Sequence, residues 1–325
     1  MHIPENYLSP QTCGIMLATV APVWYVSIKK VDAQIKLHKE TIPMLGLSSS
    51  LSFLIMMFNL PVPGGTTAHA VGAVLLAILS GPWAACLSVS VALLLQSLLF
   101  GDGGILAFGA NCFTMAVVMP FVGYGIYLLL KKHAPKIGAF LAAYVGVNAA
   151  ALATAILLGV QPLLFHDAAR QPLYNPYPLN ITIPAMMSVH LLVIGFVEGI
   201  FTLSVLSFVK RSTQTDTFTL LPVNTRRLKF ILIGFVLLSP LGLLASGTAW
   251  GEWDLNELVK TLKDNHLPTH KPQGMVHGLS FHSLFSDYTI PGLPISIGYI
   301  LCGITAILVF LLLYRLLFER RNKNA

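Results

Sequence analysis

Residues 295–314 read ISIGYILCGITAILVFLLLY, twenty consecutive positions without an Asp, Glu, Lys or Arg. As an α-helix rising 1.5 Å per residue, this stretch is about 30 Å long, the thickness of a bilayer's hydrocarbon core. Lipid offers no partner for an unpaired N–H or C=O, so a segment of this kind crosses as a helix. Similar runs recur along the chain and predict nine spans, near 8–28, 41–60, 68–81, 83–100, 108–130, 137–160, 182–209, 228–248 and 295–317. The third is short, and the seventh is long enough to tilt or extend past the hydrocarbon. Composition agrees, with 55% hydrophobic and only 10% charged residues, against about 25% charged in a soluble domain. The expected fold class is all-α, a polytopic integral membrane protein of about nine transmembrane helices.

Orientation follows from the basic residues. Sixteen of the twenty Lys and Arg fall between spans one and two, after span five, between spans seven and eight, and at the C-terminus. Nine spans put all four segments on one side, so the C-terminus is expected to be cytoplasmic and the N-terminus outside, in a multi-pass protein of the inner (plasma) membrane. The net charge of +7 is accounted for by this inside bias and needs no nucleic-acid partner. The N-terminus lacks the basic n-region of a signal peptide, and its apolar run starts late.

The chain opens Met1-His2-Ile3-Pro4. A free N-terminal amine, the backbone nitrogen of residue 2 and a His2 imidazole can close two fused chelate rings on one metal ion. No internal histidine offers this set. Taken alone, His2 is more often an accident beside the start codon. A second histidine, His69, follows the glycine-rich turn Pro61-Val62-Pro63-Gly64-Gly65-Thr66-Thr67, and the topology places both on the outer side. Together they would make a four-nitrogen shell, which suits Ni(II), Cu(II) or Co(II) better than Mg(II) or Ca(II). Ile3, Tyr7 and Leu8 are apolar enough to fold the N-terminal segment into the bundle.

Met1-His2-Ile3-Pro4 with Tyr7-Leu8-Ser9-Pro10, the Pro61 to His69 turn, Gly81-Pro82-Trp83-Ala84-Ala85, and Gln96 through Gly104 to Gly109-Ala110-Asn111 together resemble the CbiM/NikM family. His190 with Gly195, Glu198 and Gly199 fits as well. These are substrate-specific components of cobalt and nickel energy-coupling-factor (ECF) ABC transporters. The resemblance implies a metal held by the Met1 amine, the His2 amide nitrogen and ring, and His69. It implies Ni(II) or Co(II) as the transported ion with no permanent cofactor, and separate transmembrane coupling and ATPase subunits as partners. It implies residues 1–210 as the metal-capturing domain and 211–227 as a cytoplasmic linker. Residues 228–325 resemble a fused two-helix accessory part of the NikN/PDGLE type, which inclines the choice towards nickel. Within it, Trp250-Gly251-Glu252-Trp253-Asp254-Leu255 departs from the family's Pro-Asp-Gly-Leu-Glu.

Further groups have two readings each. His190, about two turns into the seventh span, is either a partner that orients His69 or a histidine packed against a neighbouring helix. Asn111 and Asp102 are expected around the site, although Asp102 between glycines also suits a turn cap. Glu198, two turns deeper than His190, is expected to serve helix packing or coupling. The outer loop 249–293 carries His266, His270, His277 and His282; the favoured reading is a partly ordered solvated loop, the other a metal antenna or gate. Gly14 and Ala18 have small-xxx-small spacing and most simply pack inside the protein. Cys13, Cys86, Cys112 and Cys302 lack C-x-x-C spacing and read as small core residues.

The chain holds no G-x-x-x-x-G-K-[ST] phosphate loop and no H-E-x-x-H helix. Capture for an ATP-driven importer is therefore the leading function and not enzymatic. An intramembrane metalloenzyme is the alternative, disfavoured because a closed nitrogen shell leaves no open position and no carboxylate is assigned beside it. An autonomous secondary transporter would show inverted repeats, and none is evident.

Overall fold

The computed structural model describes residues 1–62, 66–210, 225–245, 247–265 and 267–323. The linker at 211–224, the tip of the glycine-rich turn at 63–65, Ser246 and His266 lie outside them.

The described helices in chain order are α1 (Pro10–Leu37), α2 (Thr41–Met56), α3 (Ala73–Ser80), α4 (Pro82–Phe100), α5 (Phe108–Leu130), α6 (Pro135–Leu164), α7 (Leu179–Phe208), α8 (Arg227–Leu244), α9 (Leu255–Asp264) and α10 (Ile295–Phe318). Two strands, β1 (Leu60–Val62) and β2 (Thr66–Ala68), form an antiparallel hairpin between α2 and α3. The helix starts follow local rules. Ser9 caps α1 by accepting from Thr12 N at 3.1 Å, and prolines occupy the first turn of α1, α4 and α6, where a missing N–H costs nothing. Leu192, Phe230 and Leu308 are among the large apolar residues left exposed on the helix exteriors, as a surface facing lipid tails requires.

Among the described residues, seven helices are long and apolar enough to cross a membrane, where the sequence predicts nine. The difference lies in the second and third spans. α2 has 16 residues, and α3 has only eight, about 12 Å of helix. α3 nevertheless begins just after His69 and ends at Gly81, the start of α4, and α4 returns to Gly101 on the His69 side. Residues 69–81 thus run the length of α4 as a broken span, its first four residues non-helical.

Such backbone survives at membrane depth only where protein satisfies it. Glu198 on α7 does so: its two carboxylate oxygens accept from Val71 N and Gly72 N, both at 2.8 Å. Ser52 on α2 donates to Val71 O at 2.8 Å. Gly72 adopts φ +75, and a Cβ there would lie 2.6 Å from Ile55, so the break requires glycine. Glu198 is fully buried and reaches the backbone two residues from His69.

Three π-helical stretches, Gln96–Phe100, Cys112–Val118 and His190–Ile194, interrupt α4, α5 and α7. They begin at or beside Gln96, Asn111 and His190, and such bulges commonly mark functional positions.

The loop between α8 and α10 is solvated over much of its length, with residues 276–282 exposed, while other parts of it pack on the N-terminal segment. Leu258 and Leu262 of α9 share an apolar cluster with Ile3, Tyr7 and Leu8. Tyr7 donates to Trp253 O at 2.8 Å, and the Asn6 side chain pairs with both backbone groups of Leu279. A capping box of Asp254 and Glu257 opens α9. The C-terminal part therefore closes over the N-terminus.

Candidate metal centre

Residues 1–5 are strapped into a crevice by groups from the α4–α5 region. Asn111 accepts from Ile3 N at 2.7 Å and donates to Ile3 O at 3.0 Å, as a paired strand would. Gly104 N also donates to Ile3 O, at 2.9 Å. Glu5 accepts from Ile105 N at 2.7 Å and Leu106 N at 3.2 Å. A Cβ on Gly104 would lie 2.7 Å from Glu5 N, so only glycine lets the two backbones approach this closely. Met1 and His2 are each 3% exposed and Ile3 fully buried.

This strap brings the terminal amine and the His2 ring to His69. The His69 Nδ1–H donates to Ala70 O at 3.0 Å, which leaves Nε2 as an acceptor. Nε2 lies 3.5 Å from the Met1 amine and 3.1 Å from His2 Nδ1. Bonds of about 2.0 Å to one ion would put adjacent nitrogens about 2.8 Å apart, so His69 stands near the separation of a ligand adjacent to both. Burial, opposed by the charge of Glu252 and reinforced by the ammonium, takes the His2 imidazole down to about 4. It is therefore neutral at neutral pH, the form that binds metal.

Two carboxylates complete the cluster. Glu252 Oε1 accepts from the Met1 ammonium at 2.7 Å. Burial raises this carboxyl, but the ammonium charge, the two histidines and the hydrogen bond from the ammonium together outweigh it and hold Glu252 at about 2. Donor atoms of His2, His69 and Glu252 all lie within 4.8 Å of one another. Asp102 Oδ1 is 3.0 Å from His2 Nδ1. Its Oδ2 accepts from Gln96 Nε2 at 3.0 Å and from the Tyr288 hydroxyl at 2.5 Å. Burial, then the nearby charge of Glu252, pushes the Asp102 carboxyl above its ordinary range.

Beside these groups a cavity of about 220 Å³, lined among others by His2, His69, Asp102, Glu252, Asp287 and Tyr288, leads to the cluster. At roughly 30 Å³ per water, that is room for an ion with its hydration shell.

Residues 2–215 match the family described as the cobalt uptake substrate-specific transmembrane region, CbiM. The chain belongs to the CbiM family. Residues 225–320 also match the PDGLE domain. The chain is 62% identical to the probable fused nickel transport protein LarMN of Lactiplantibacillus plantarum, over 97% of both chains. It is 49% identical to the fused nickel transport protein NikMN of Rhodobacter capsulatus, over 80% of this chain and 77% of the relative. A crystal structure of a truncated transition metal transporter superposes with a TM-score of 0.62 at 55% identity, covering 66% of this chain and all of the other. The chain is thus a multi-pass membrane protein of a family of metal transport proteins rather than enzymes.

The geometry sorts the residues singled out from the CbiM sequence. Met1, His2 and His69 meet. Asp102 touches His2, and Asn111 touches the Ile3 peptide instead of a ring. His190 donates from Nδ1 to Met186 O at 2.8 Å and makes no hydrogen bond to His69 among the described residues. Ala70 O holds the His69 ring instead. His190 lines a small cavity of about 10 Å³ with Met1.

The described loop histidines do not gather at the site: His270 reaches Pro172 O at 3.1 Å, and His277 and His282 are exposed, while His266 lies outside the described residues. The sequence reading missed Glu252, Gln96 and Tyr288, and its premise that no carboxylate adjoins the nitrogens is overturned. The signal for Glu252 was available: an acidic residue standing exactly where the PDGLE segment departs from its pattern.

Proposed function

We propose that this chain is the substrate-specific component of an ECF-type ABC importer, and that it captures Ni(II) or Co(II) at an extracytoplasmic chelate of Met1, His2 and His69. The observation that carries this is His69 Nε2, buried and unprotonated, facing both the terminal amine and His2 Nδ1 at near-ligand separations. The His2 amide nitrogen completes four nitrogens. Binding replaces the ammonium and amide protons, so one ion enters and two protons leave. A planar nitrogen set suits Ni(II), and relatives named as fused nickel transport proteins favour nickel over cobalt. The chain carries no phosphate loop, so ATP hydrolysis and coupling fall to separate subunits. The inside bias of Lys and Arg supports an outward-facing site, with residues 1–210 as the capture domain and 228–325 as the accessory part.

Titration of purified protein with Ni(II) and Co(II), followed by absorption, tests the reading. One equivalent should bind the native protein, and a single residue added before Met1 should abolish binding while helicity and melting temperature hold. Equal affinity in the extended protein would sink the chelate.

A further inference from the structure

We infer that Glu252, from the C-terminal part, is a fifth ligand to the captured ion, so that the capture site is incomplete without the accessory half. The inference rests on the chelate reading above. The Met1 ammonium directs its protons at two acceptors, His69 Nε2 and Glu252 Oε1, at 3.5 and 2.7 Å. An ion that takes the place of those protons and binds both the amine and His69 comes within reach of the Glu252 carboxylate that had accepted the other hydrogen bond. The Glu252 oxygen already lies within 4.8 Å of the ring donors of both histidines, a spread that a single ion can bridge.

Glu252 is also free to make the bond. Among the described residues its carboxylate pairs only with the Met1 amine. Asp102, the other candidate, has one oxygen committed to Tyr288 and Gln96 and the other set against the His2 ring. The backbone that carries Glu252 is anchored: Glu252 N donates to Ala249 O at 3.0 Å, Ala249 is bridged to Thr67 on the strand leading to His69, and Trp253 O accepts from Tyr7. The backbone beside Glu252 is therefore anchored to both segments that carry the nitrogens.

Charge balance points the same way. Before loading, the Met1 ammonium faces the Glu252 carboxylate, and the Asp102 carboxyl lies against the His2 ring. A divalent ion that replaces one ammonium proton and one amide proton leaves the net charge of the site unchanged, with two protons released to solvent. Unpaired buried charge is costly, and Glu252 is the carboxylate already set against the amine whose positive charge the ion takes over.

The test is Ni K-edge X-ray absorption on the full-length protein loaded with one equivalent of Ni(II), beside Glu252→Gln. Axial carboxylate ligation removes the pre-edge feature of a planar four-coordinate ion. The wild type should lack that feature, Glu252→Gln should gain it, and the variant should bind roughly 10- to 100-fold more weakly. A planar feature in the wild type overturns the inference whether or not the variant folds. An unchanged spectrum and affinity in a folded Glu252→Gln overturns it as well. His2→Ala separates the two readings: if it still binds, the chelate itself falls, and if it does not while Glu252→Gln binds normally, only the fifth ligand falls.

Discussion

Two segments converge on the site and are held there by different means. The strap of residues 1–5 is fixed through its backbone, by Asn111, Gly104 and the Glu5 carboxylate. The lid, residues 247–294, is held to the strap through side chains, by the apolar cluster of Leu258 and Leu262 with Ile3 and Tyr7 and the Asn6 and Tyr7 hydrogen bonds, while backbone bonds such as Phe285 N to Leu99 O tie it to the rest of the bundle. The strap delivers nitrogens, and the lid delivers the oxygens of Glu252 and Tyr288. Backbone pairing has little tolerance for displacement, so the strap decides whether the site exists. Side-chain packing yields more easily, so the lid tunes it.

Four measurements would break or sharpen that contrast. The largest effect belongs to the nitrogens: His2→Ala and His69→Ala should each abolish Ni(II) binding in calorimetry with the fold intact. Next comes the strap's clamp. Asn111→Ala strands Ile3 N and leaves Ile3 O with Gly104 N alone, and should weaken binding roughly 10- to 100-fold while destabilising the protein by about 1–3 kcal/mol. An unchanged affinity there would mean the strap is held by something other than its backbone pairing.

Glu198→Leu should follow, because it leaves Val71 N and Gly72 N buried without an acceptor beside His69. A melting temperature that falls together with a weaker Ni(II) affinity is the expected result, and normal affinity would show that the broken span holds His69 without its carboxylate cap. Smallest is Tyr288→Phe on the lid, which removes one donor to Asp102 and leaves Gln96. A cost of about 1 kcal/mol and a small change in Kd are expected. A loss as large as that of Asn111→Ala would erase the distinction between strap and lid.

Legibility in the sequence followed the same division. Hydropathy is local, so the long helices were readable from runs such as 295–314, and a free amine beside His2 is a property of position one alone. The third span misled because an eight-residue helix preceded by buried irregular backbone has the same composition as the end of a full helix. What permits the break is Glu198, which lies more than a hundred residues away in the chain. The His190 alternative was open for a similar reason: which acceptor the His69 ring takes is settled by the turn at Ala70, not by the spacing of histidines. Glu252 stood in plain view as a departure from a motif, but nothing in its neighbours says that residue 1 is 2.7 Å away.

The sequence alone therefore determined the membrane class and the family, together with the candidate donors Met1, His2 and His69, because each depends on residue identity and local order. Tertiary structure alone decided that the third span is broken, that Asn111 clamps Ile3, and that Glu252 meets the terminal amine. These are contacts between segments brought together by packing, and hydrogen bonds between residues 3 and 111 or 1 and 252 leave no periodicity along the chain to read.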